Sequence, residues 1–359
     1  MKVLLTGATG FIGQNIVRKM RQRGWQVHAL VRDGASAQAR WLTEQGCTLV
    51  PGDVTQAQGL AQAMAGMGLV MHNAGVYEFG GNAAVQARMQ QVNVVGTDLV
   101  LGAALQAGVP RTVYVSSVAG LGCTGYAPDP AVLKDETHRH DGRNPTPYAR
   151  TKADAHQVAL AWRAKGLPLV IAMPGAVLGA NDHSAFGYFM RLHLLRAMPP
   201  MAFGGDCTLG FVDVQALAEG LCLAAENAPI GQDYIFAGHS MTLKSMFDQL
   251  ARYPGGMKVR LWVPRWFVRP QLWLMEPLQR ALGLPAFLSR DTVDASRGHL
   301  SYSSTKAQRA LGWTHPGADD MWDNIIRREQ ALVAKRRGFL NKLRHQSVVD
   351  DEASIAPSH

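Results

Sequence analysis

Cysteine is scarce. The chain has four in 359 residues, Cys47, Cys123, Cys207 and Cys222. They are scattered, with no C-x-x-C pair, which argues against a disulfide framework or a thiolate zinc site and points to a reducing, cytoplasmic setting. Long apolar runs are also missing. None reaches the roughly 20 residues that spanning a bilayer requires, and the apolar start after Lys2 is too short for a signal peptide. Acidic residues are the minority, 27 against 36 lysines and arginines, for a net charge of +9. Part of the excess sits in "IIRREQALVAKRRGFLNKLRHQ" near the C-terminus. A basic balance favours anionic partners such as phosphorylated cofactors. There is no nucleic-acid-binding module and no internal repeat. With 47% hydrophobic residues, the chain can build a large core as one big domain or two lobes.

What is present is an alternation of two periods. "KVLLT", "WQVHALV", "CTLVPGDV", "GLVMHNAG" and "TVYVSS" read as strands, and the segments between them carry apolar residues at helical spacing. One long helix is predicted around residues 84–107. Strands alternating with helices predict an α/β fold with a doubly wound parallel sheet, a Rossmann architecture. Residues 1–175 are expected to form this dinucleotide-binding domain, with some later segments returning to it. Beyond 175 glycine and proline breaks multiply, which predicts a smaller, irregular substrate lobe over 176–320. A basic C-terminal helix over 321–345 and a flexible tail over 346–359 complete the expected organisation.

"TGATGFIG" places Gly7, Gly10 and Gly13 straight after a strand and straight before a helix. A glycine permits the tight turn, a second lets the backbone approach a pyrophosphate, and a third lets helix and strand pack closely. Thr9, Phe11 and Ile12 fill the positions between and after them. The helix N-terminus then offers free N–H groups and positive potential to phosphate. At the end of the second strand, "HALVRDG" puts Arg32 where an acidic residue would bond the ribose 2′-hydroxyl of NAD. An arginine there can grip a 2′-phosphate, so NADP is the expected cofactor. Asp33, next in sequence, keeps NAD open as an alternative, and Arg40 is a second candidate for the phosphate.

"PYARTK" sets Tyr148 one helical turn before Lys152, on the same face. A phenol near pKa 10 is a poor acid–base group at neutral pH. A nearby ammonium and a positive nicotinamide ring would lower that value and fit Tyr148 for proton transfer coupled to hydride movement.

Together, "TGATGFIG", "GDV" at 52–54, "HNAG" at 72–75, "YVSS" at 114–117, "YARTK" at 148–152 and "FVDV" at 211–214 resemble the extended short-chain dehydrogenase/reductases. That group includes sugar-nucleotide epimerases, dihydroflavonol reductases and 3β-hydroxysteroid dehydrogenases. The resemblance spans about 210 residues. It implies that Asp53 contacts adenine with Val54 packed nearby, and that Asn73, Ala74 and Gly75 lie along the cofactor. It also implies that Lys152 bonds the nicotinamide ribose and Ser117 holds the substrate oxygen. Asn93 would support the water and lysine network, and Pro174 and Val177 would lie at the nicotinamide. "VRD" is similar to the NADP-using dihydroflavonol reductases. Met173 stands where many relatives carry arginine, a departure from the pattern. Homodimerisation through the helices near 84–107 and 148–165 is a further implication.

Other stretches point less far. "THRHD" at 137–141 offers two histidines and an acid, too few for a metal centre, so no metal is expected. The aromatic segment Trp262–Phe287 could be core, the wall of an apolar pocket, or a contact with a membrane interface. The expected activity is NADP(H)-dependent interconversion of a carbonyl and an alcohol on a largely apolar small molecule, dihydroflavonol-, steroid- or isoprenoid-like. An NAD-dependent nucleotide-sugar epimerase or dehydratase is the alternative; it would need arginines such as Arg191, Arg196 and Arg260 converging on a diphosphate. A non-catalytic cofactor-binding regulator or membrane-associated scaffold is a third reading, opposed by the intact Ser117, Tyr148 and Lys152.

Overall fold

A computed structural model of the chain describes residues 1–78, 82–139, 141–143, 145–281, 288–338 and 341–342. Its strands in chain order are β1 (Lys2–Thr6), β2 (Gln26–Val31), β3 (Thr48–Pro51), β4 (Leu69–His72), β5 (Thr112–Val115), β6 (Gly125–Tyr126), β7 (Leu169–Pro174), β8 (Ala176–Leu178), β9 (Met201–Ala202), β10 (Thr208–Asp213), β11 (Asp233–Phe236), β12 (His239–Thr242), β13 (Leu261–Trp262) and β14 (Gly298–His299). The helices of the first half are α1 (Phe11–Gln22), α2 (Ala37–Glu44), α3 (Leu60–Met64), α4 (Ala83–Gln90), α5 (Gly96–Gln106) and α6 (Pro147–Ala164). Those of the second half are α7 (Ala185–Leu194), α8 (Val214–Asn227), α9 (Leu243–Leu250), α10 (Arg265–Ala281), α11 (Arg290–Ala295), α12 (Thr305–Leu311) and α13 (Ala318–Ala334).

Seven strands form one parallel sheet in the order β3-β2-β1-β4-β5-β7-β11. Every residue of β4, β5 and β7 is buried, as a parallel sheet covered on both faces requires. Side chains alternate across it. Val3 and Leu5 join Ile16 and Met20 of α1 and Leu217 and Leu221 of α8 on one face. Leu4 joins Val100 and Leu101 of α5 and Ala155 and Ala159 of α6 on the other. The strand order reverses between β1 and β4, which opens a crevice at their carboxyl ends, the place where doubly wound sheets bind ligands.

β11 lies in the main sheet, while β8, β10 and β12 form a small sheet of their own. A separate apolar cluster centred on Phe211, Met246, Phe247, Trp322 and Ile325 underlies it. The helix expected over 84–107 is α4 and α5 joined by a π-helical turn, Gln91–Val95. The C-terminal helix α13 ends at Ala334, before the Lys335–Arg337 run. Residues 343–359, with the expected tail, lie outside the described residues, as do His140 of "THRHD" and residues 282–287 of the aromatic segment. Among the described residues, no helix is long and apolar enough to cross a membrane, and no group of three or more His, Cys, Asp or Glu could hold a metal ion.

Candidate active site

The glycine loop leaves β1 at Gly7, whose φ of +71° favours glycine. A Cβ there would meet the Ala74 backbone at 2.8 Å, and one on Gly13 would lie 2.0 Å from the Gly7 carbonyl oxygen. The loop is thus wedged between α1 and the Asn73–Gly75 turn after β4. Gly10 precedes α1, which begins without a side-chain cap, so its first N–H groups face the crevice.

The Asn73–Gly75 turn is pinned from below. The Thr6 hydroxyl accepts the N–H of Asn73 at 3.2 Å and of Ala74 at 3.1 Å, so its own proton goes to His72 Nδ1 at 2.8 Å. His72 Nε2 then donates to Thr97 Oγ1 at 3.1 Å, and Thr97 donates to the Asn93 carbonyl at 2.6 Å. This chain requires a neutral imidazole. Burial, reinforced by the charge of Lys152, brings His72 down to about 3.

Asn93 sits in the π-helical turn, a distortion frequent at functional sites. Its Oδ1 accepts from Val76 N–H at 2.8 Å, and its Nδ2 donates to the Val76 carbonyl at 2.9 Å and to Thr151 Oγ1 at 3.1 Å. Thr151 in turn donates to the Tyr148 carbonyl at 2.9 Å. A Cβ on Gly75 would lie 3.3 Å from Lys152 Nζ and 3.4 Å from Asn93 Oδ1. Gly75 therefore leaves the space in which these two groups face the crevice.

Tyr148 and Lys152 owe their positions to the start of α6. Thr146 caps the helix by accepting from Ala149 N–H at 3.1 Å, and Pro147 takes the first turn, where a missing N–H costs nothing. Lys152 Nζ lies 6.0 Å from the Tyr148 ring centroid. Burial brings the lysine down to about 8. Burial also pushes the Tyr148 phenol well above its ordinary value, against a hydrogen bond from Ser117 that pulls it down. The expectation that Lys152 lowers the phenol pKa thus differs from what these side chains do by themselves. Desolvation outweighs an ammonium at this distance, and Tyr148 holds its proton at neutral pH. Ser117, at the end of β5, also accepts from Ala119 N–H at 3.2 Å. Tyr77, which nothing in the sequence singled out, packs edge-on against Tyr148 with ring centroids 4.5 Å apart.

Along the adenine side, Arg32 lines the crevice while Asp33 and Arg40 do not. Asp33 accepts from Ala35 N–H at 2.8 Å, and Arg40 bonds the Ala35 carbonyl; both serve the β2–α2 loop. Asp53 lines the crevice and also closes its own turn, with Oδ1 accepting from Thr55 N–H at 2.9 Å. Val54 packs on Gly96. Pro174 ends β7, Val177 lies on the crevice wall in β8, and Met173 is buried in β7.

One cavity of about 1110 Å³ runs from the glycine loop past Ser117 and Tyr148 into the second lobe. There its wall is apolar, with Phe186, Leu209, Met246, Phe267, Leu272 and Met275. Among the described residues, the arginines that line it are Arg32 and Arg88. Arg191 is instead sealed in an ion pair with Glu329, 3.1 Å apart and both fully buried. His138 bonds the Cys123 carbonyl at 3.1 Å, and all four cysteines are free thiols.

A glycine cradle at the switch point of a doubly wound sheet, opening on a Tyr–Lys pair, defines an NAD(P)-dependent oxidoreductase. The chain belongs to the NAD dependent epimerase/dehydratase family, which it matches over residues 3–237, and is of the extended short-chain dehydrogenase/reductase type. It is 30% identical to a putative dihydroflavonol 4-reductase of a Synechocystis species, over 86% of this chain and 88% of the relative. It is also 30% identical to a 4-hydroxy-2-methyl-3-oxo-4-farnesyl-3,4-dihydroquinoline-1-oxide ketoreductase of Stigmatella aurantiaca, over 87% and 92% of the two chains. In fold it is similar to a dTDP-glucose 4,6-dehydratase of Streptomyces venezuelae, whose structure holds NAD, with a TM-score of 0.74 at 22% identity over 94% and 99% of the chains.

Proposed function

We infer that the chain reduces a ketone on a largely apolar small molecule with NADPH, and can run the reaction in reverse. The observation that carries this reading is the apolar wall that meets Ser117 and Tyr148 at one end of the cavity. When bound, the nicotinamide supplies a hydride to the carbonyl carbon. Tyr148, protonated at neutral pH, gives its phenolic proton to the carbonyl oxygen as the alcohol forms. Ser117 donates a hydrogen bond to that oxygen and positions it against the phenol. Lys152 would bond the nicotinamide ribose and stabilise the phenolate left behind, and Asn93 fixes the turn that faces both. Gly7, Thr9, Gly10, Phe11, Ile12 and Gly13 cradle the pyrophosphate. Asp53, Val54, Asn73, Ala74, Gly75, Pro174 and Val177 line the remaining length of the cofactor.

NADP preference is part of this reading. Arg32 faces the crevice where Asp33 and Arg40 are committed to their own loop. A nucleotide-sugar substrate would need cations for its diphosphate. Arg191 is neutralised by Glu329, and among the described residues Arg196 and Arg260 stand outside the cavity wall. The ketone class is that of the ketoreductase and dihydroflavonol reductase relatives named above, extended to steroid- or isoprenoid-like carbonyls. Two further parts of the proposal are a homodimer built on α5 and α6, which pack side by side through the Trp162–Asp98 hydrogen bond at 2.7 Å, and a cytoplasmic setting, supported by four free thiols.

The test is NADPH oxidation against a panel of apolar ketones and aldehydes, run beside a nucleotide-sugar panel with NAD. Turnover of the ketones is expected. Conversion of a nucleotide sugar, with the ketones inert, would replace the reading.

A further inference from the structure

Helix α10, Arg265–Ala281, is apolar on two opposite sides. Its inner side carries Val268, Leu272 and Met275 onto the cavity wall. Its outer side presents Trp266, Pro270, Trp273, Leu274, Pro277 and Leu278 to solvent. Trp266 is 75% exposed, Trp273 65% and Leu274 68%. Tryptophans side by side with leucine on one helical face are not scattered surface residues, and a patch of this kind marks a contact. The charged side chains of the helix gather along one edge: Arg265 pairs with Asp206, and Arg269 with Asp294 at 3.0 Å. Along the chain, residues 256–300 contain seven lysines and arginines against three acidic residues. Arg265, Arg269, Arg290 and Arg297 are in ion pairs, and the balance stays positive when Asp206, the partner of Arg265, is included.

We propose that the outer face of α10 docks on an anionic lipid surface and that apolar substrate enters the cavity from that side. Exposed tryptophans set at the headgroup level, leucines below them and a basic surround are the chemistry of an interfacial helix. The local positive excess complements anionic headgroups, each nearby cation adding attraction over a Debye length. Phe267 carries the outer patch into the cavity, being half exposed and also part of its lining. The same helix is therefore the partition between the lipid and the second-lobe part of the cavity. Docking stands on the helix alone; the entry route rests on the apolar-ketone reading above.

The test uses the full chain with vesicles of phosphatidylcholine, with and without a third of phosphatidylglycerol, and the variant Trp273→Ser/Leu274→Ser. Neither residue lines the cavity, so NADPH affinity and the thermal melt are expected to hold. The wild-type chain should co-sediment with the anionic vesicles, with a blue shift of tryptophan emission, and the variant should lose at least about tenfold in partitioning, the coupling expected when two interfacial anchors are removed. A wild-type chain that stays in the supernatant with both vesicles overturns the docking, and so does a variant that binds equally well. A wild-type dimer in sedimentation velocity that becomes monomer in the variant assigns the face to a second copy instead. None of these readings depends on turnover, so they are separate from the fate of the ketone assignment.

Discussion

Asn93 holds both backbone polar groups of Val76, accepting its N–H at 2.8 Å and donating to its carbonyl at 2.9 Å. A side-chain amide is the one group of this size with a donor and an acceptor so placed. The grip fixes the segment that follows Gly75, and through Thr151 it reaches the Tyr148 backbone. Asn93→Asp keeps the shape but turns the donor into a second acceptor against the Val76 carbonyl. It should cost about 1–3 kcal/mol of stability, read by urea unfolding, and weaken NADPH binding in a titration of cofactor fluorescence. Asn93→Asp with unchanged melting and affinity would show that the grip is dispensable.

The Tyr148 phenol is the proposed proton donor, and its burial keeps it protonated. Tyr148→Phe removes that proton and little else. Turnover should fall by about 10²–10⁴-fold, the usual contribution of a general acid, while the NADPH dissociation constant moves by less than about threefold. Rates within a few-fold of wild type would assign the proton to another group, with Tyr77 the neighbour to examine next. Because burial brings Lys152 down to about 8, its charge in the free chain is lost as pH rises through 8. Cofactor affinity of the free chain should weaken along the same span.

Arg32 should decide between the two nicotinamide cofactors. A guanidinium on a 2′-phosphate contributes roughly 1.5–3 kcal/mol as a charge-assisted bond, so Arg32→Ala should lose about 10- to 100-fold in NADPH affinity and leave NADH nearly unchanged. Equal losses for the two cofactors would place the 2′ position elsewhere.

His72 imposes a direction on stability against pH. Its folded value is near 3, its unfolded value near 6.5. Between these the unfolded chain binds the extra proton, so stability falls as pH drops below about 6.5 and goes on falling toward 3. The slope from one such group is at most about 1.4 kcal/mol per pH unit. His72→Gln, which can keep one link to Thr6 or Thr97, should be less stable at pH 7.5 and show a shallower acid slope. Urea unfolding at pH 5, 6 and 7.5 measures both, and an unaltered slope would remove His72 as the cause.

Much of the first 175 residues was legible because each local signal has a short reach. A glycine loop after an apolar run, Thr146 and Pro147 ahead of Tyr148, and strands buried on both faces are all visible within a few residues. What was not legible depends on partners far apart in sequence. The single long helix proved to be two helices joined by a π-turn, which carries Asn93 against Val76, 17 positions away. The Thr6–His72–Thr97 chain joins three elements, and no spacing announces it. "VRD" left Arg32 and Asp33 as rivals until the loop geometry gave Asp33 to Ala35. The second lobe was hardest to read, because its strands are short and its glycines and prolines hide the helical period. Arg191 was a candidate for a diphosphate there, and only the fold reveals Glu329 beside it.

That pair leads to the last prediction. Arg191 lies on α7, one of the helices along the cavity, and Glu329 on α13; the carboxylate also accepts the Asn181 N–H. Two fully buried charges stabilise each other only while both are present, because a lone buried charge keeps its desolvation cost without an opposite partner. Arg191→Met should therefore destabilise the chain by about 3–5 kcal/mol. Glu329→Leu should do the same by stranding the guanidinium. The double variant Arg191→Met/Glu329→Leu should recover part of the loss, because it strands neither, and the difference is the coupling between them. KM for an apolar ketone should rise in the folded variants as α7 loosens, since Phe186, Phe189 and Leu192 of that helix line the cavity. Additive losses in the double variant would show that the two side chains act independently and that α7 is held by packing alone.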